Sequence, residues 1–273
     1  MEKTRILFVT QEITPYLPES NMGTICRYLP QAVQENGKEI RTFMPRFGNI
    51  NERRNQLHEV IRLSGMNLII DNTDHPLIIK VASIQSARMQ IYFIDNEDYF
   101  QRKFIFHDKN QKFFKDNDER AIFFVRGVLE TVKKLGWSPD IIHCHGWMTS
   151  LLPLYVKRAY RDNPLFAETK VIYSVYDDAF EGNMSKDFSQ KIKMEGITNK
   201  DLKYYKKSNF VSLMQSAIDY SDGLIISCET INAEVSDYLT NSRKPFLPYQ
   251  PIDNFIEKYS NFYNEILTKE TID

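Results

Sequence analysis

Apolar runs of strand length alternate with amphipathic stretches along most of the chain, as in proteins whose strands alternate with helices. Residues 5–10 (RILFVT), 170–175 (KVIYSV) and 224–227 (LIIS) are apolar with little polar alternation. Such runs are typical of parallel strands that are buried on both faces of a sheet. The pattern therefore predicts an α/β fold with a doubly wound, mostly parallel sheet of the Rossmann-like type.

The amphipathic stretches between these runs predict the helices. We expect helices over residues 23–36, 118–135, 149–160, 209–220, 230–239 and 252–267. Residues 118–135 give the clearest pattern, because their apolar side chains share one broad face. Gly37 is expected to end the first helix, and Thr149 or Ser150 to cap the third.

Between the second strand, predicted over residues 40–44, and residue 116 the alternation changes. Four short runs favour added strands or a small hairpin subsection, over residues 58–62, 66–70, 78–82 and 89–94. Residues 95–116 predict an irregular, aromatic-rich excursion over the sheet edge. Because the alternation then continues, we expect one domain over residues 1–273, with 245–273 as an extended, proline-containing connector plus a C-terminal helix.

Composition and charge narrow the class of function. The 273 residues are 42% hydrophobic and carry a formal net charge of -1, with acids and bases interleaved. This balance does not favour a nucleic-acid surface, and no window approaches the roughly 20 apolar residues of a membrane span. The three cysteines, Cys26, Cys144 and Cys228, are odd in number and lie in apolar or helical contexts, which predicts no disulfide framework and a cytoplasmic location.

Two histidines lie at the end of a predicted strand, in the segment PDIIHCHGW over residues 139–147. Ligands of open α/β sheets bind at the carboxyl ends of strands, so His143 and His145 are expected where this fold places its chemistry. Cys144 should face the opposite side of the strand, in the core. A zinc site needs three or four convergent ligands. The spacing of the other Cys and His residues supplies none, so we predict no metal.

Ordered motifs make the chain resemble the N-terminal, acceptor-side domain of bacterial glycogen synthases and plant starch synthases. They are ILFVTQEITPY, RYLPQAV, YFIDNEDYF, DNDERAIFFVRGVLE, PDIIHCHGW, KVIYSV and SAIDYSDGLIISCETINAEV. The resemblance implies one half of a GT-B fold of glycosyltransferase family 5. In that family, the complete two-domain enzyme closes on its ligands like a clamp. The resemblance also implies that these ligands are ADP-glucose and α-1,4-glucan and that the glucose transfer is retaining. No further cofactor is implied.

The phosphate-facing loop of that family departs from its pattern here. The family has Lys-X-Gly-Gly-Leu-(Ala/Ser)-Asp after the first strand, with the Lys and the backbone amides facing the diphosphate. The residues at the lysine, paired-glycine and aspartate positions are Pro18, Ser20, Asn21 and Thr24. The segment has lost its cation and gained Glu19, which would repel a bound diphosphate.

Two further motifs depart from the family's pattern, and the family's second domain has no counterpart in the sequence. The family's Thr-X-His-Asn reads Ser-Val-Tyr-Asp over residues 174–177, so its His is Tyr176. Its His-X-His-Asp-Trp keeps both histidines and Trp147 but has Gly146 in place of Asp. Residues 1–273 also contain no match to the family's second, nucleotide-sugar domain. We therefore expect impaired catalysis by this domain alone.

The resemblance assigns no catalytic residue with certainty, but it marks residues near a bound sugar or diphosphate. They are Asn21, Gly23, Thr24, His145, Gly146, Trp147, Tyr176 and Asp177. His145 is the best candidate, because the family's second His contacts the donor sugar; alternatively both histidines hydrogen-bond neighbouring loops. Glu12 and Asp177 are either a carboxylate pair or solvated loop acids. The aromatic residues of 92–114 form either a glucan-stacking platform or core packing.

Three functions remain open at this point. The first is a catalytically impaired relative that binds α-glucan or a partner protein. The second is an ADP-glucose glucosyltransferase completed by a separate nucleotide-binding chain, docked through residues 245–273. The third is a structural or regulatory module that has kept the scaffold alone, as a protein complex or homo-oligomer.

Overall fold

A computed structural model describes residues 3–268 of the protein, and its centre is a ten-stranded sheet. The strands are β1 (Arg5–Thr10), β2 (Glu39–Pro45), β3 (His58–Glu59), β4 (Met66–Ile70), β5 (Thr73–Ile84), β6 (Met89–Asp95), β7 (Ile141–His145), β8 (Lys170–Val175), β9 (Gly223–Ile226) and β10 (Phe246–Leu247). The helices are α1 (Asn21–Glu35), α2 (Glu97–Phe100), α3 (Asn117–Leu135), α4 (Leu152–Lys157), α5 (Phe188–Lys191), α6 (Phe210–Tyr220), α7 (Ala233–Asn241) and α8 (Phe255–Thr268).

The strand order is β10-β9-β8-β7-β1-β2-β6-β5-β3, and β4 pairs with β5. All neighbours from β10 to β6 are parallel, whereas β3, β4 and β5 add antiparallel pairs at one end. The predicted doubly wound, mostly parallel sheet is confirmed. The chain runs outward from β1 through β2 and then from β7 through β10, so the order reverses between β1 and β7. Ligand sites of open α/β sheets lie at such a switch point.

Helices cover both faces of the sheet. On one face α1 contacts α8, and Tyr263 of α8 reaches His143 of β7. On the other face Gly127 of α3 lies against Ile94 of β6, and α4 packs on α6. The histidines of β7 therefore point toward the α1/α8 layer, and Cys144, fully buried, points the other way as expected.

Most elements coincide with the predicted ones, but the first helix begins earlier. Helix α1 starts at Asn21, and Ser20 caps it by accepting a hydrogen bond from the backbone N–H of Gly23 at 2.9 Å. A serine oxygen at this position satisfies an otherwise unpaired N–H of the first turn. Residues 21–24, which the resemblance treats as a phosphate-facing loop, are thus the first turn of a helix.

The helix predicted over residues 149–160 is wrong in its bounds. A 3-10 turn over Trp147–Thr149 precedes α4, which covers only Leu152–Lys157. The Thr149 hydroxyl donates back to the carbonyl oxygen of Gly146 at 2.8 Å, so neither it nor Ser150 caps a helix. Helix α7 likewise begins at Ala233 rather than 230, because Asn232 is its capping residue.

The C-terminal segment contributes to the core of the domain itself. The connector holds the short strand β10, beside which the carbonyl oxygen of Pro245 accepts a hydrogen bond from the N–H of Leu224 at 3.0 Å. Helix α8 then buries Tyr259 and Tyr263 against the sheet. Residues 245–254 are thus a largely exposed connector that holds the short strand β10, and α8 is a packed helix through Thr268; residues 269–273 of the predicted segment lie outside the described residues.

Candidate functional site

The carboxyl ends of four neighbouring strands, β1, β7, β8 and β9, meet the start of α1. The Nδ2 amide of Asn21 donates to the carbonyl oxygen of Ser227 at 2.7 Å and approaches Cys228 Sγ at 3.5 Å. The backbone N–H of Asp177 lies 3.5 Å from the same sulfur atom. The fold thus brings the start of α1 together with the loops after β8 and β9.

A histidine cluster (His143, His145, Ser174, Tyr176 and Tyr263) lies under this edge. All five side chains are buried, and the two imidazole centroids are 3.9 Å apart. The Nδ1 and Nε2 atoms of His143 are hydrogen-bonded to the Tyr263 hydroxyl at 2.7 Å and the Ser174 hydroxyl at 2.8 Å. His145 Nδ1 is bonded to the Tyr176 hydroxyl at 2.8 Å. Each histidine therefore bonds neighbouring elements of the domain.

Burial decides the charge of both imidazoles. It lowers the pKa of His145 to about 3, and it lowers the pKa of His143 well below 6.5, with a smaller contribution from repulsion by His145. Transfer out of water disfavours the charged form of a histidine. Both rings are consequently neutral at pH 7, and neither supplies positive charge to a diphosphate. His145 Nε2 has no hydrogen-bond partner among the described residues.

Tyr176 and helix α8 cover the two imidazoles of this cluster. Tyr176 replaces the histidine of the family motif and is itself 2% exposed. Tyr259 of α8 bonds the hydroxyl of Ser227 at 2.9 Å beside it. The sequence motifs assign no role at this site to Tyr259 or Tyr263. Their signal is present, however, because two tyrosines four residues apart on an apolar helix face carry hydroxyls that need buried partners.

Gly146 and Trp147 turn the chain sharply after β7. Gly146 has φ +86°, and a Cβ atom there would lie 2.4 Å from Cδ of Gln11. Only glycine adopts this φ freely and fits here without displacing the buried Gln11 side chain. The N–H of Trp147 donates to Asp178 Oδ2 at 2.7 Å, and burial raises the pKa of the Asp178 carboxyl to about 7. The Trp147 ring is 2% exposed, so a sugar cannot stack directly on it.

The segment that replaces the phosphate-facing loop carries no cation. Ser20 donates to Glu12 Oε2 at 2.5 Å, which gives Glu12 a structural partner rather than the proposed pairing with Asp177. Gly23 is buried against Thr14, whereas Asn21 is exposed and Thr24 is half-buried. The backbone of this turn is therefore packed, with Asn21 as its outermost side chain.

Four segments that follow strands at the carboxyl edge contain acidic residues and no cationic ones. We call residues 11–26, 146–155, 176–185 and 227–236 the strand-end segments, because they follow β1, β7, β8 and β9. They contain seven acidic residues and no Lys or Arg. The acids are Glu12, Glu19, Asp177, Asp178, Glu181, Glu229 and Glu234. Within these segments a diphosphate would meet acidic side chains and no Lys or Arg.

The aromatic residues of 92–114 divide between core and surface. Tyr92, Phe93, Tyr99 and Phe100 are buried core residues, Phe104 is exposed, and Phe106, Phe113 and Phe114 are half-buried. Arg120, fully buried, holds the excursion in place, because its guanidinium donates to the backbone carbonyls of Tyr99 at 2.7 Å and Ile105 at 2.6 Å. Sequence analysis gave no sign of this role, since a lone Arg in an amphipathic helix is typical of a surface position.

Metal-binding clusters and membrane-spanning helices are both missing from residues 3–268. No group of three or more His, Cys, Asp or Glu side chains in this range could hold a metal ion. In the same range, no helix combines the length and the apolar character that a bilayer crossing requires.

Comparisons with known proteins agree with the motifs. The family model of the starch synthase catalytic domain matches residues 5–241. The chain is 36% identical over 219 residues to a glycogen synthase of Chlorobium limicola, covering 80% of this chain and 44% of the relative. It is also 36% identical over 202 residues to a glycogen synthase of Chlorobaculum tepidum, covering 70% and 41%. The chain thus spans less than half the length of these curated relatives.

A solved structure shares the fold. The catalytic domain of starch synthase IV from Arabidopsis thaliana, bound to ADP and acarbose, superposes with a TM-score of 0.68 at 17% identity. The match covers 91% of this chain and 51% of that one, as expected for one half of a GT-B fold. With the family model matching most of the sequence, the chain belongs to the starch synthase catalytic domain family.

Proposed function

We propose that this domain binds α-glucan and does not by itself transfer glucose from ADP-glucose. The observation that carries the proposal is the absence of Lys and Arg from the strand-end segments, which hold seven acids. Two unit charges 10 Å apart interact by roughly 1–2 kcal/mol at an effective dielectric constant of about 20. Several carboxylates therefore oppose a diphosphate, whereas a neutral glucan meets no such cost.

The state of the histidine cluster supports the same proposal. Transfer with a diphosphate leaving group requires stabilisation of the developing negative charge. The residue in the donor-sugar position, His145, is fully buried and neutral, and Tyr176 is hydrogen-bonded to its Nδ1. Neither residue offers charge to a leaving phosphate. Binding of a neutral sugar does not need that charge.

The test is a titration of the purified chain with maltoheptaose and with ADP-glucose, together with an assay of ADP release. We expect saturable binding of maltoheptaose, no binding of ADP-glucose, and no ADP release from ADP-glucose with a glucan primer. Steady ADP release by this chain alone would refute the proposal. Binding of neither ligand would leave the structural or regulatory module as the better account.

A transferase completed by a separate nucleotide-binding chain is the second candidate. It is favoured by the match of residues 5–241 to the starch synthase catalytic domain. It cannot use α8 as a free docking arm, since α8 is packed on its own sheet. ADP release that appears only after a nucleotide-binding domain is added would support it. A cytoplasmic location and a protein partner or homo-oligomer stay predictions.

A further inference from the structure

An open groove lies beside Trp147, near the starts of α6 and α7. Two adjoining cavities of about 540 and 280 Å³ share the loop over residues 179–182 as a common wall. We call this the aromatic groove and define it by residues from both cavities. They are His107, Gln111, Phe113, Phe180, Asn209 and Asn232. Its volume falls in the range of small-ligand sites, roughly 300–1,000 Å³.

The groove has an aromatic floor. Phe113 and Phe180 stack with their centroids 4.8 Å apart and an interplanar angle of 13°. Trp147 supports Phe180 from behind at 5.1 Å, and Phe210 meets it edge-on at 5.8 Å. The rings are therefore held by one another. The C–H faces of a pyranose are apolar and pack on aromatic rings of this kind, while its hydroxyls remain at the rim.

The rim supplies amide groups. Asn209 and Asn232 each accept a backbone N–H through Oδ1, from Ser212 at 2.9 Å and Val235 at 3.2 Å. These bonds fix both side chains and direct Nδ2, a donor, away from its own helix. Gln111 on the facing hairpin is exposed and adds a further amide. Amides donate and accept, as sugar hydroxyls require.

The charge of the groove excludes anionic sugars. Its lining includes Glu181 and contains no Lys or Arg among the described residues. A phosphorylated or nucleotide-linked sugar would find no counter-ion and one carboxylate, whereas an uncharged glucose polymer meets neither problem. The groove is concave, contains stacked rings and amides, and lacks cations. Together these features favour a neutral oligosaccharide as its ligand.

We infer that the aromatic groove is the α-glucan site of this domain, with glucosyl units packed on the half-buried ring of Phe113, which the buried Phe180 supports, and held at the rim by Gln111, Asn209 and Asn232. The inference rests on the proposed function and deepens it by placing the ligand away from the histidine cluster. A glucan held here leaves His145 untouched. Glucan binding then does not depend on the family's histidine motif.

The experiment titrates maltoheptaose into the wild-type chain and two groove variants, each with a matched control. Phe113→Ala removes half of the ring stack, and Phe104→Ala removes an exposed ring of the same excursion outside the groove. Gln111→Gly removes an amide at φ +62°, a conformation that glycine adopts freely, and Gln56→Gly does the same at φ +54° outside the groove. Both glycine variants therefore fold without added strain.

We expect Phe113→Ala to weaken the maltoheptaose Kd about tenfold and Gln111→Gly about threefold, with both controls unchanged. Unchanged Kd in both groove variants, beside a wild-type chain that binds maltoheptaose, would overturn the groove and leave the proposed function standing. Equal losses in Phe113→Ala and Phe104→Ala would also overturn it. A wild-type chain that binds no maltoheptaose would refute the proposed function and the groove together.

Discussion

The histidine cluster and the aromatic groove lie close to the same edge of the sheet, yet they differ in what they leave available. In the cluster, three of the four imidazole nitrogens are hydrogen-bonded to tyrosine or serine hydroxyls within the domain. In the groove, the aromatic floor faces an open cavity. Asn209 and Asn232 use only Oδ1 to cap their helices, so their Nδ2 donors are left for a ligand. The cluster stabilises the fold, whereas the groove can still bind.

Under the proposal made here, the strongest motif does not mark the binding surface. The two histidines and Trp147 carry the family resemblance most clearly, but all three are buried. Buried polar groups need partners, so the domain satisfies them internally. Of the groove residues only Asn232 lies in a quoted motif, because aromatic and amide side chains are common and their convergence depends on distant loops.

The largest effect should come from acid acting on the histidine cluster. The pKa of His145 falls from its ordinary value of 6.5 to about 3 in the folded chain, so the unfolded chain binds more protons between these values. Stability is therefore full above pH 6.5 and falls as the pH drops toward 3. The loss is about 1.4 kcal/mol per pH unit for each such histidine. Urea unfolding between pH 7 and 4 measures it, and His145→Gln should flatten the slope by about one proton.

Gly146→Ala should produce the next largest loss, because it forces a side chain into φ +86° and against Gln11. We expect the free energy of unfolding to drop by about 2–4 kcal/mol. Gly65→Ala is the control, since Gly65 has φ +88° but no atom within 4 Å of the place where a Cβ would lie. It should cost about 1 kcal/mol. Equal losses in the two variants would show that Gln11 imposes no steric limit.

Tyr263→Phe should test whether α8 seals the cluster. The change leaves His143 Nδ1 buried without its partner at 2.7 Å, at a cost of about 1–3 kcal/mol. Tyr259→Phe removes a bond to the Ser227 hydroxyl, which can rotate to another acceptor, so its cost should be smaller. Chemical denaturation of both variants at pH 7 gives the comparison. A larger loss for Tyr259→Phe would contradict this account of the seal.

Asp178 lies between the histidine cluster and the aromatic groove, and Asp178→Asn should have the smallest effect. The pKa of Asp178 is raised from 3.8 to about 7, so the stability that its protonated form contributes is lost as the pH rises through 7. Asn keeps an acceptor for the N–H of Trp147 and removes the charge. We expect a gain of about 1 kcal/mol at pH 8 and a much smaller one at pH 5. A gain that is equal at both pH values would contradict the assignment.

The regular elements were predictable because local pattern and burial agree. Strands β1 and β8 have the predicted bounds, since an apolar run without alternation has few other uses in an α/β chain. The bounds of the helix after β7 were not predictable, because the Thr149 hydroxyl donates back to the carbonyl oxygen of Gly146 and the chain makes a 3-10 turn before the helix begins. The start of α1 depended on the Ser20 cap, which sequence alone did not distinguish from a loop serine.

Sequence by itself determined the alternating α/β architecture, the family, the missing cation of the phosphate-facing segment and the acidity of the strand ends. Each of these follows from residue type and order. Only the tertiary structure decided that the histidine cluster is sealed by Tyr176 and α8, and that Phe113, Phe180 and the caps of α6 and α7 form one groove. The Phe113–Phe180 stack and the Tyr263–His143 bond each join residues more than 60 positions apart. Burial, charge state and exposure arise only once such distant segments pack together.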